Sequence, residues 1–179
     1  MPERSTLAVD QILSAEPMIS SWLWALEDSR KRTKTVIENI LPASIDWLPD
    51  DTSLARNSIG SLLYHIALIE ADWLYAEVLE QDYPASIMAL FPHADRDSQG
   101  YLTHVPGVSL EEHLQRLDAV RAEVLRIFRS MSLADFRRIR HLPNYDVTPE
   151  WVIHHLLQHE AEHRSEIAAL RHAAELAHR

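Results

Sequence analysis

Two histidines four residues apart, His159 and His163, stand in the stretch "LLQHEAEHRSEI" with three acids and an arginine around them. Imidazoles at i and i+4 leave one side of a helix roughly 40° apart, at about 100° per residue. Such a pair ligates a divalent ion when a third donor arrives from elsewhere. The candidate third donor is His65, in "NSIGSLLYHIALIEADWL". Three nitrogens from two helices leave positions open for water or substrate, which separates a catalytic metal site from a closed structural one. The chain has no cysteine, so disulfides, thiolate ligands and a cysteine nucleophile are excluded. Any resident metal must use nitrogen and oxygen donors.

Eleven histidines make chance pairs of this spacing common, so helix phase has to decide. Val152 and Leu170 project between His159 and His163, with Leu156 and Ile167 just to one side. Both imidazoles therefore share the apolar stripe, where an unpartnered polar ring is costly. His65 projects to the edge of the stripe made by Leu62, Ile66 and Ile69, on the side of Ser58, Ser61 and Asp72. His155 makes the same relation to His159 but lies roughly 40° further from the apolar centre, a surface or supporting position. His113 falls on a third apolar stripe and reads as a hydrogen-bonded core histidine. His93, His104, His141, His172 and His178 read as loop or terminal residues.

Among the acids, Glu166 projects roughly 20° from His159, within reach of a ligand's outer ring nitrogen. Asp72 shares the side of His65 but lies nearly two turns further on. These two are the candidates for supporting carboxylates, and Glu70 is a further base candidate. Glu160 points towards a neighbouring helix and suits a salt bridge, while Glu162 faces solvent. No catalytic base is singled out.

Four amphipathic helices would have to carry these residues. Apolar positions recur at three- and four-residue intervals from about Pro17 to Ile40 and from about Ser58 to Gln81. A third stripe follows "SLEE", where Ser109 and Glu112 have capping-box spacing, and a fourth follows "TPEW", with Thr148 as cap and Pro149 next. The fourth runs to about Ala174. A short turn over Leu7–Leu13 and a short helix near Ser132 complete the expected elements. With three glycines and no persistent alternation, strands are not expected. The fold class is all-α, a four-helix bundle with long connections at 41–57, 82–108 and 131–147, in one domain over residues 1–179. The proline-bearing loops are placed to roof one end of the bundle.

Acidic residues outnumber basic ones by 27 to 17, giving a net charge of −10. That charge opposes nucleic-acid binding. The two basic clusters, Arg30–Lys34 and Arg137–Arg140, read as solvated helix ends or turns. The N-terminal stretch lacks a signal-peptide core, and no apolar run nears the roughly 20 residues that span a bilayer. A soluble cytoplasmic protein is the expectation.

The His65 segment, its lead "IDWLPDDTSLARNSIG" and the later "TPEWVIHHLLQHEAEHRSEIAAL" together resemble the DinB-like superfamily (DinB/YfiT-like metalloenzymes) over nearly the whole chain. Related branches include thiol-dependent S-transferases that use bacillithiol or mycothiol. The resemblance implies that His65, His159 and His163 bind a divalent metal, often nickel or zinc, and that the protein is a homodimer. One departure is that "HRSE" stands where relatives commonly have H-R-G-Q, which places Ser165 and Glu166 beside the last histidine.

Three neutral imidazoles leave a divalent ion strongly Lewis acidic. The expected function is a metal-dependent enzyme acting on a small molecule, either an S-transferase taking a low-molecular-weight thiol or a hydrolase. The alternatives are a non-enzymatic stress-response bundle with a structural ion and an interaction module. For the interaction module, Trp24 lies roughly 200° from Trp22 around its helix and could serve a subunit interface.

Overall fold

The computed structural model describes residues 8–10, 12–14, 16–49 and 57–178. Part of the expected turn over Leu7–Leu13, at residues 7 and 11, lies outside the described residues, as do residues 50–56; the described residues of the turn are not helical.

Four long helices form the bundle: α1 Pro17–Val36, α2 Ile59–Asp72, α4 Leu110–Arg129 and α6 Pro149–Ala177. Short helices α3 Ala85–Met88 and α5 Leu133–Phe136 lie in the connections. The caps follow the local sequence. Ser58 Oγ accepts from Ser61 N at 3.1 Å, and Thr148 Oγ1 accepts from Trp151 N at 3.2 Å. Ser109 and Glu112 close a reciprocal capping box at the start of α4. Ser132 Oγ caps α5 through Asp135 N.

Three features differ from expectation. Helix α1 stops at Val36 and not near Ile40, where Asn39 takes a left-handed φ of 56° that asparagine tolerates. Helix α2 gives way after Asp72 to a π-helical turn, Trp73–Val78, with Leu79 N bonding to Leu74 O at 3.0 Å. Such widening rotates the side chains that follow out of α-helical phase. A two-strand hairpin, β1 Arg140–His141 with β2 Asp146–Val147, was not foreseen, because two residues are too few for alternation to register.

Helix α1 packs on α6 and α4, and α2 packs on the same two, so the helices alternate around a square with α1 and α2 on one diagonal. The buried apolar residues split into two clusters. One includes Leu23, Leu26, Leu74, Val120, Phe128 and Leu156; the other includes Ile37, Ile59, Leu62, Ile66, Leu117 and Ile167.

Four buried charges lie at the level between them, one from each long helix. Arg30 reaches Glu70 at 2.6 Å and Glu160 at 2.8 Å; Arg121 reaches Glu70 at 2.5 Å and Glu160 at 3.1 Å. Arginine and glutamate alternate along the ring of ion pairs, of which Arg30–Glu70 and Arg121–Glu160 cross the diagonals of the square, so every charge has two opposite partners. Spare guanidinium protons go to Leu117 O at 3.0 Å and Leu26 O at 2.8 Å. Burial works to raise the Glu160 carboxyl, but Arg30 and Arg121 hold it below the usual carboxylate range.

The ring corrects two expectations. Arg30 is no solvated helix end, and Glu70 is a structural partner of two arginines with no freedom to act as a base. The second basic cluster also has a buried member: Arg140 donates to Val78 O at 3.1 Å and Asp135 O at 2.9 Å. Glu160 holds the salt bridges expected of it.

Candidate metal centre

His65 leaves the middle of α2, and His159 and His163 leave α6, which packs against it. One ring nitrogen from each falls within 4.8 Å of the other two. His65 Nε2 and His159 Nε2 are 3.1 Å apart, and the ring centroids are separated by 4.5 to 5.0 Å. His65 is buried, and the other two are partly buried. Ligands around a tetrahedral ion bonded at about 2.0–2.1 Å stand about 3.4 Å apart, a spacing that small ring rotations reach from here. The donor set therefore fits a divalent cation of the nitrogen-preferring kind.

Two carboxylates face the outer nitrogens. His65 Nδ1 lies 2.5 Å from Asp95 Oδ1, and His163 Nδ1 lies 3.2 Å from Glu166 Oε2. Burial works to raise the Asp95 carboxyl, but its bond to His65 and that ring's charge hold it below its ordinary value. Glu166 is lowered chiefly by its bond to His163. Both are thus ionised and can only accept, so each Nδ1 carries the proton and each Nε2 keeps a lone pair for the centre. His159 is driven down to about 3, first by burial and then by the neighbouring imidazoles, and is neutral at ordinary pH. His159 is therefore in the form that metal binding requires.

The long loops deliver these supports. Asp95 lies in the 82–108 connection, which Tyr64 anchors two residues earlier: its hydroxyl donates to His93 O at 2.7 Å and accepts from His93 N at 3.0 Å. Asn57, just before α2, donates to Glu166 at 2.8 Å. Neither Asp95 nor Asn57 carries a sequence signal, because a loop has no periodicity to place a side chain.

The other sequence candidates fall as follows. Glu166 meets His163 and not His159. Asp72 is not brought to the imidazoles; seven residues beyond His65 it lies about 10 Å along the axis, exposed, and accepts from Tyr83 Oη at 2.9 Å. Glu162 is exposed, as expected. His155 is partly buried, with Trp151 stacked on it at 5.2 Å and 7° and Trp73 at 4.4 Å. Its ring is 5.8 Å from that of His159. His113 is a core residue whose Nδ1 faces Arg116 at 3.1 Å, but its Nε2 has no partner among the described residues. Trp22 and Trp73 pack against the core as expected, and Trp24 is partly buried.

The bundle and its histidine cluster define a helical protein built around a candidate cation site. The sequence model of the DinB superfamily matches residues 25–167, and the chain belongs to that superfamily. No curated protein matches it. Among the described residues, no helix is long and apolar enough to cross a membrane.

Proposed function

We propose that His65, His159 and His163 bind one divalent metal ion, nickel or zinc by preference, in an enzyme acting on a small molecule. The observation that carries this reading is the convergence of three imidazole nitrogens from two helices, with Asp95 and Glu166 behind two of them. A core with no ligand to hold has no use for three clustered polar rings. When bound, the ion supplies Lewis acidity that lowers the pKa of a coordinated thiol or water.

The chain's own residues do the rest. Asp95 and Glu166 fix the orientation of two rings and offset the ion's charge from outside the ligand set. Tyr64 holds the Asp95 loop in register with α2. Among the described residues no fourth side chain belongs to the cluster, which leaves room for a substrate. The favoured reaction is transfer of a low-molecular-weight thiol to an electrophile, with hydrolysis as the second reading.

Elemental analysis after purification without a nickel column tests the metal. About one equivalent per chain is expected, lost in His159→Ala; a wild type with no metal overturns the proposal. The absorption spectrum of the cobalt-loaded protein tests the chemistry. A change on adding a thiol supports an open site for it, and an unchanged spectrum favours a structural ion.

A further inference from the structure

A cleft of about 650 Å³ opens beside the N-terminal part of α6. Its wall is three aromatic rings. Trp73, from the π-helical turn, lies 5.3 Å from Trp151 at 39° and 6.2 Å from Tyr145 at 35°. Ile139 and Val147, on the hairpin and its lead, complete the apolar lining. The volume lies within the range of small-molecule sites. Trp151, Tyr145 and Ile139 are each about half exposed, so the cleft is open to solvent.

Its polar groups are committed elsewhere. Asp146 Oδ1 pairs with His141 Nδ1 at 2.9 Å. The Tyr145 hydroxyl donates to Glu77 Oε1 at 2.9 Å, and Thr148 Oγ1 accepts from Trp151 N at 3.2 Å. What remains to meet a ligand is chiefly ring faces and aliphatic carbon, with the Asp146 carboxylate at the exposed rim. An anion entering here would lose water and meet only ring faces and the Asp146 carboxylate; a flat neutral ring would stack.

A line of ring contacts runs from the wall of the cleft to the histidine centre. Trp151, His155, His159 and His163 follow one another at four-residue steps along α6, with centroid separations of 5.2, 5.8 and 4.5 Å. A molecule seated against Trp151 lies two ring contacts from the nearest proposed ligand. The unreactive part of a substrate, held here, would hold its reacting end near the centre.

We infer that this cleft binds a planar, uncharged aromatic group of the small-molecule substrate; its role in the reaction rests on the metal-centre reading, but the binding itself does not. The test is a titration with the neutral fluorophore N-phenyl-1-naphthylamine, on chelator-stripped and zinc-loaded protein. A saturable rise in emission with one site per chain is expected in both. Trp151→Ala should weaken it by about 10-fold while Trp151→Phe stays within about threefold, and Ile139→Asp should weaken it too. Both positions, 139 and 151, are exposed, so folding should survive; metal content should be unchanged.

His163→Ala should lose metal yet keep the fluorophore, which separates a failure of the centre from a failure of the cleft. No saturable binding, or binding indifferent to Trp151→Ala and Ile139→Asp, overturns the inference. Displacement by tetramethylammonium as effective as by naphthalene overturns the uncharged character. A dimer that Trp151→Ala dissociates, with no fluorophore bound, makes the cleft a subunit interface instead.

Discussion

Asp95 is the residue on which the preorganisation of the proposed centre depends most. It faces His65 Nδ1 at 2.5 Å and forces the proton onto that nitrogen. Removing such a partner typically costs 10- to 100-fold in metal affinity. Asp95→Ala should show a loss of that size in a competitive chelator titration, with the far-ultraviolet circular dichroism unchanged; Asp95→Asn, which still accepts, should fall between. An affinity equal to wild type would detach Asp95 from the centre. His113 makes a different prediction at the same scale. Burial, and then Arg116, push its pKa from 6.5 down to about 4. The folded value lies below the unfolded one, so the unfolded chain takes up a proton first, and stability declines as pH falls from about 6.5 to about 4. The full effect is on the order of 3 kcal/mol. Urea unfolding of chelator-treated protein at pH 7 and pH 5 should show a smaller loss for His113→Leu than for wild type. The three candidate ligands were legible in the sequence because helix phase and spacing place them. Asp95 and Asn57 were not, since their positions follow from how two loops fold back.

At the scale of the elements, the ring of Arg30, Glu70, Arg121 and Glu160 sets the relative height of four helices. Each member stands four residues after a stripe residue, namely Leu26, Ile66, Leu117 and Leu156. The phase that found the stripes therefore also contained the ring, but a charged residue on a stripe reads as a gap until its partner on another helix is known. Buried pairs of this kind give little net stability, because desolvation consumes most of the attraction. Breaking one is different: Glu70→Gln leaves two buried guanidiniums short of a charge and should cost about 3–5 kcal/mol in urea unfolding. Replacing all four residues by apolar ones of similar volume should recover most of that loss. If Glu70→Gln were neutral, the ring could not be closed in solution as it is here. The caps at Ser58, Ser109, Ser132 and Thr148 were legible, since each needs only a residue type and its neighbours. The π-helical turn and the hairpin were not. The first is a phase slip within a continuing apolar run, and the second is too short for a period of two.

For the whole molecule, the centre is placed to act as a clasp. Its proposed ligands and their supports come from α2, α6, the 82–108 loop and Asn57 just before α2, while α4 and α1 contribute none. An ion that binds only the folded chain stabilises it by about 2.7 kcal/mol at 100 times its Kd. That free energy is shared globally, but the local openings it suppresses are those that separate α2, α6 and the Asp95 loop. Adding zinc to stripped protein should raise Tm, and hydrogen exchange should slow most at residues 57–66, 93–97 and 156–167. Residues 110–129 of α4 should slow no more than the global change requires. His163→Ala should abolish both effects, and a chelator should reverse them in wild type. Protection centred instead on the exposed His141–Asp146 pair, or spread evenly along all four helices, would mean that the ion binds somewhere other than where these three imidazoles meet.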